Sequence, residues 1–348
     1  MGYSKFGSWT YQEVQEVTLT PAVEMVFIVA IFMFGGLFFM ALFFLVSGLL
    51  TQDSLERKGS ARFVKDRLLK LGIPFAVYTL LVWPLLEYGL HEPILHDRSF
   101  WASFMDDDPL LDTGPMWFVG VLLFYSLAFV AWRRIRPPQA AASEAELRGR
   151  TLGLLAVAVG LATFLVRLSF PADSNQALNM HLWGWPEYLA MFGLGIVAAT
   201  RGWLRPVSGA LSRRCGIAAL AAIVCSVITV VTAEPLGLSE DAYFGGWGLP
   251  ALIAATLEGV IAVTAPIWVL AFAQRHMDRT GPLRRAMSRS SYLAFMMQGP
   301  VLVVLALLLR PVDLSGDVKA ILVAGFGIVG SFALSWPLVT RTPLGRFV

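Results

Sequence analysis

Six cations packed between two apolar stretches are the residues of this chain best suited to hold a charged ligand: Arg57, Lys58, Arg62, Lys65, Arg67 and Lys70. The run before them, LFFMALFFLVSGLL from Leu37, reads as a membrane helix that breaks at Ser47-Gly48, and the chain turns apolar again at Ile73. If Arg62 to Leu71 is helical, Val64, Leu68 and Leu71 form an apolar stripe. Arg67 and Lys70 then share a face beside it, and Asp66 can pair with Lys70 four residues on. A short cationic helix at a membrane face suits an anionic, partly greasy cofactor. The same cations also satisfy the rule that cytoplasmic loops are basic, and spacing alone does not choose between the two.

A second set of candidates lies inside apolar segments, where ionisable groups are costly and rare. Glu258, in ATLEGVIAV, sits near the middle of its segment and is expected to face the bundle interior, paired or protonated. It serves there either as a structural link between helices or as a working carboxylate. Arg167 stands one turn from a segment end and is expected to snorkel to the interface. Glu87 and Glu187 lie at segment boundaries and are expected to reach water, Glu187 beside the interfacial pair Trp183 and Trp185. Of the four histidines, His276 falls in a basic loop, while His91 and His96 flank an acidic one. His181, in NMHLWGWPEY, lies nearest an outer cavity mouth, either as a general base or as a solvated loop residue. Cys215 and Cys225 are ten residues apart in one segment, about 15 Å on a helix and too far for a disulfide. No zinc-ligand spacing or phosphate-cradling glycine loop occurs.

These residues must be positioned by membrane helices. Of 348 residues 57% are hydrophobic and only 15% charged, with mean hydropathy +0.67, which excludes a soluble domain. Nine apolar segments are expected: Ala22–Leu50, Gly72–Leu90, Pro115–Trp132, Thr151–Phe170, Trp185–Thr200, Cys215–Ala233, Trp247–Ala273, Ser291–Leu309 and Ala320–Val339. The first is long for one span and is expected to bend at Gly35-Gly36. The loops after segments one, three, five and seven, with the C-terminal tail, carry 22 of the 27 Lys and Arg residues, so that side is read as cytoplasmic. The fold expected is therefore an all-α polytopic bundle, a single domain over 1–348. Its N-terminal stretch 1–21 is outside, 133–150 is a cytoplasmic loop, and its C-terminus is inside. The net charge of +3 sits in loops between spans and is no nucleic-acid signature.

FFLVSGLL, then SLERKG, then RFVKDRLLKLGIP resemble the acyltransferase 3 family of multi-pass membrane acyltransferases, nearest its glucan-succinylation branch. The family's Arg-x-x-Arg motif reads Arg67-Leu68-Leu69-Lys70 here, and lysine lacks the planar fork of arginine. GPMWFVGVLLFYSL around Trp117, YLAMFGLGIVAATRGWL around Gly193 and Gly195, and SYLAFMMQGPVLV around Tyr292 are also similar to family patterns. Gly120 stands where an acidic residue is frequent, and Gln298 where a histidine is. The resemblance implies an enzyme moving an acyl group from cytoplasmic acyl-CoA to a hydroxyl of a glycan, lipid or small molecule. Arg57, Arg67 and Lys70 would hold the donor's phosphates and Trp117 and Gln298 would lie against substrate; the family often places an acidic residue at the position of Glu258, whereas His181 is a base candidate by its place in the chain alone. It implies acyl-CoA as donor substrate with no tightly bound cofactor or metal. The implied partners are the bilayer and a carbohydrate or lipid acceptor, and the place a bacterial inner membrane. Family members usually begin with one further helix that carries the catalytic histidine, and FGSWTYQE resembles the loop that follows it, so the chain is expected to lack that helix. The alternative is a degenerate member that binds a donor or a partner without turnover.

Overall fold

Long uncharged runs in lipid have no water to satisfy their peptide groups, and the chain answers with helices. The computed structural model describes residues 19–31, 38–86, 88, 112–136, 147–172, 174, 176–204, 206–233, 235, 237–239, 241–277 and 281–346; among them every regular element is a helix. After α1 (Pro21–Ile31) come α2 (Phe39–Lys58), α3 (Ser60–Leu86), α4 (Trp117–Ile135) and α5 (Gly149–Arg167). Then follow α6 (Trp185–Thr200), α7 (Gly209–Ala233), α8 (Leu249–His276), α9 (Pro282–Leu309) and α10 (Gly316–Arg341). Among the described residues, eight helices are long and apolar enough to cross a membrane. The fifth of the nine expected segments, α6, has 16 residues, about 24 Å, and is lengthened at its start by a 3₁₀ turn from Leu182 to Gly184. The chain is an all-α polytopic membrane bundle.

Three expectations about the first segments are corrected. The stretch Ala22–Leu50 divides into α1 and α2; the expected bend at Gly35-Gly36 lies outside the described residues. Helix α2 does not break at Ser47-Gly48 but runs on to Lys58. Gly48 instead serves packing: a β-carbon there would meet the Phe192 carbonyl oxygen at 2.2 Å, and one at Gly195 would meet that of Leu45 at 2.2 Å. Two small residues thus let the α2 and α6 backbones touch, as membrane helices do where lipid gives no hydrophobic drive to associate. Third, the cationic helix and the second segment are one helix of 27 residues. Pro74 cannot donate to the Lys70 carbonyl four residues back, and that oxygen accepts the Tyr292 hydroxyl at 3.2 Å. A wider i→i+5 turn, Leu68–Gly72, carries the helix past the proline.

A second close crossing joins α5 to α8, where a β-carbon on Gly259 would lie 2.7 Å from the Ala156 carbonyl oxygen. Helix α7 packs on α8, and α9 pairs with α10. Aromatic side chains fill the centre, Phe44 stacking on Tyr188 at 4.9 Å and lying 5.6 Å from Tyr125. The outward faces of α7 and α10 are apolar, with Ile217, Val231, Ile328 and Val329 exposed as lipid contacts require. The arginine-rich helix ends gather on one side: Arg133 reaches Glu56 at 3.9 Å, and Arg214 and Arg275 lie against the first residues of α5 and α7. Arg284, Arg285 and Arg289, expected in a loop, ride on the first turns of α9.

Candidate active site

At the end of the bundle away from these arginines, the loop between α5 and α6 adopts an unusual backbone. Leu178, Asn179 and His181 have φ of 61°, 43° and 49°, left-handed values that cost roughly 1 kcal/mol or more each outside glycine. Such a loop persists only if its surroundings over-determine it. Gln176 Oε1 accepts the Leu182 N–H at 2.7 Å, and the Thr113 hydroxyl donates to the Leu178 carbonyl at 3.0 Å. The Trp185 indole N–H donates to the Met180 carbonyl at 2.9 Å. Asp112 ties the loop to two other elements, accepting from Asn179 Nδ2 at 3.1 Å, Trp83 Nε1 at 3.2 Å and the Gly114 N–H at 3.0 Å.

The product of this bracing is a fixed imidazole. His181 Nδ1 lies 2.7 Å from the Asn179 carbonyl oxygen. A carbonyl only accepts, so Nδ1 carries the hydrogen and the lone pair is on Nε2. The ring is half-buried between two indoles, 4.5 Å from that of Trp117 and 5.6 Å from that of Trp183. Burial pushes the His181 pKa below its ordinary value of 6.5, against smaller upward pulls from the Asn179 carbonyl and Asp112. A neutral imidazole with one free nitrogen is the form a general base requires.

Behind Trp183 lies the ion pair of Arg167 and Glu258, Nη2 to Oε2 at 2.5 Å, with the guanidinium 5.2 Å over the indole. The expected snorkelling of Arg167 is corrected: it is 2% exposed. The segment after Phe244 covers the end of α5, Gly245 packing on the Arg167 carbonyl, and Glu258 supplies the counter-charge from α8. Glu187 is corrected likewise, being 7% exposed in the first turn of α6 beside the same pair. Glu258 does face inward and is paired; it stands about 14 Å from the start of α8, in the half of the helix nearer the His181 loop rather than at mid-span.

The cations of the opposite end do not converge as their spacing implied. Arg67 turns inward, donating to the buried Thr51 hydroxyl at 3.1 Å with its guanidinium 4.9 Å over the Phe63 ring. Lys70 is exposed within the wide turn that changes the helical phase. Arg57 is exposed, bonded to the Asp53 carbonyl at 3.2 Å. Asp66 pairs with Lys58 at 2.6 Å, not with Lys70.

The sequence model of the acyltransferase 3 family, described as an acyltransferase domain, matches residues 2–340. The chain belongs to the acyltransferase 3 family. No curated protein and no solved structure matches it.

Within this family member the structure brings together Trp117 and His181 directly, and Glu258 with them through Arg167 and Trp183. Gln298 is half-buried on α9, next to Gly299, against which Tyr78 and Trp83 pack. Glu87, His91 and His96 fall outside the described residues. Among the described residues no His, Cys, Asp or Glu set of three could hold a metal ion. Sequence reasoning missed Asp112, Gln176 and the inward turn of Arg167. Asp112 reads as part of a solvated acidic loop, and nothing local links Arg167 to a carboxylate 91 residues away.

Proposed function

We propose that this membrane acyltransferase takes its acyl group from an acyl-CoA at the arginine-rich end and passes it to a hydroxyl near His181. The acceptor class is a glycan, a lipid or a small molecule. The observation that carries the reading is the bond from His181 Nδ1 to the Asn179 carbonyl, which leaves Nε2 as the accepting nitrogen. His181 removes the proton of the acceptor hydroxyl as its oxygen attacks the thioester carbonyl carbon. The tetrahedral intermediate collapses, the carbon–sulfur bond breaks, and the departing thiolate is protonated to free CoA. Glu258, its side chain a quarter exposed and fixed by Arg167, contacts the acceptor beside it.

The donor's phosphates meet Lys70 and Arg57, with Arg67 as the inner, half-buried contact; charge-assisted bonds of this kind are the strong ones. Roughly 17 Å of helix rise separates Arg67 from the level of Trp117, a span suited to a thioester carried on a long arm. Ser126 places a buried polar atom, unpartnered among the described residues, between the two levels, and Tyr78 and Thr79 place two more near the level of Trp117. The arginine-rich side is cytoplasmic by the positive-inside rule, and the membrane is the bacterial inner membrane.

A donor-binding protein without turnover is the second reading, favoured by Gly120. Phe75 and Met180 occupy the space an acidic side chain would need there. Incubating the purified chain with a labelled acyl-CoA and hydroxyl acceptors separates the two. Acceptor-dependent release of free CoA thiol supports the enzyme; donor binding with no release supports the binder.

A further inference from the structure

The loop that carries His181 is closed at its base by charge. Arg167 is the last residue of α5 and Glu187 lies in the first turn of α6, so the two bracket it, and Glu258 reaches in from α8. Arg167 reaches two partners at once. Its Nη2 holds Glu258 Oε2, and its Cζ lies 5.2 Å over the Trp183 ring. The edge-on contact of Trp183 with the His181 ring completes the row. Of the two indoles that flank the imidazole, Trp183 is the one seated on a cation.

We propose that Arg167 is a positioning residue that sets both Glu258 and His181, the carboxylate through its edge and the imidazole through Trp183. The proposal rests on the reading of His181 as the base. It concerns a residue that touches neither donor nor acceptor. Lysine at this position keeps the charge but offers one compact ammonium in place of a broad guanidinium, so it retains the ion pair and lets Trp183 loosen. Of the charged groups packed on this loop, Asp112 ahead of α4 acts on the imidazole, while Arg167 on α5, Glu187 on α6 and Glu258 on α8 form one cluster behind Trp183. With Trp183 loose, water reaches His181 and its protonation moves back toward the ordinary imidazole range.

The test compares Arg167→Lys, Arg167→Gln and His181→Gln in the purified full chain, each measured for acyl-CoA binding, kcat, KM and the pH profile of transfer. Arg167→Lys is expected to bind donor as before, to lose roughly 10- to 100-fold in kcat, and to shift the acid limb of its profile upward. Arg167→Gln is expected to lose more. A lysine variant with unchanged kcat and profile, while His181→Gln is inactive, overturns the assignment of Arg167 alone. An active His181→Gln variant overturns the base reading and this proposal with it. A fall in kcat matched by an equal fall in donor-binding protein marks a purely structural role and also overturns it.

Discussion

The imidazole Nδ1 of His181 and the carbonyl oxygen of Asn179 lie 2.7 Å apart, and both residues hold left-handed backbones to make that contact. A short loop that keeps three such residues does so against their intrinsic preference, and its bonds to Asp112, Thr113 and Gln176 all serve to keep it. That arrangement is the physical basis for reading His181 as a base.

The protonation of His181 gives the first prediction. Its pKa is held below 6.5 by burial, so the working, neutral form is present above that lowered value and lost as pH falls through it. The acid limb of kcat/KM should therefore have its midpoint below 6.5. Asp112 pulls the pKa upward, so Asp112→Asn should move the limb to lower pH still. A limb that moves upward in that variant would contradict the assignment.

The ion pair of Arg167 and Glu258 gives the second. Removing Glu258 alone leaves a buried cation without its partner, a loss of about 3 kcal/mol. Replacing both residues with leucine should destabilise less than either single change, because neither member of the pair is then left buried without the other. Thermal unfolding of the four proteins in one detergent checks the order.

Donor recognition can be read from two substitutions. Arg67→Ala removes the inner guanidinium and should raise the KM for acyl-CoA about tenfold, as the loss of one charge-assisted hydrogen bond implies. Lys70→Arg supplies a planar fork at an exposed site and should lower that KM. Unchanged donor KM in Arg67→Ala would remove Arg67 from the site.

Close helix crossing supplies a fourth prediction. Gly48→Val places side-chain atoms where the Phe192 carbonyl oxygen stands, and a backbone carbonyl does not yield as a side chain does. Destabilisation of about 1–3 kcal/mol and a lower Tm are expected. A variant as stable as the parent would show that α2 and α6 need not touch.

What was legible in the sequence follows from how far each signal reaches. Span positions are written in local hydropathy, and the inward face of Glu258 follows from the cost of a charge in lipid. The continuity of α3 was hidden because its cations and Pro74 both argue for a break, while the wide turn and the Tyr292 hydroxyl that relieve the proline depend on tertiary contact. Ser47-Gly48 reads as a helix stop, since glycine is a weak helix former, and only the partner helix reveals it as a packing contact. Arg167 near a helix end has the same local pattern whether it snorkels or turns inward. The choice was made by Glu258 and the covering segment at Gly245. The left-handed residues Leu178, Asn179 and His181 have no sequence mark beyond one asparagine, because supports such as Asp112 and Thr113 come from other segments.

The measurement that bears most directly on the whole account is acceptor-dependent release of CoA thiol from acyl-CoA by the purified chain and by its His181→Gln variant at pH 7.5 (roughly one unit above the ordinary imidazole value). The account predicts turnover by the parent and its loss in the variant, with acyl-CoA binding equal in the two. Turnover by the variant at the parent's rate would contradict it.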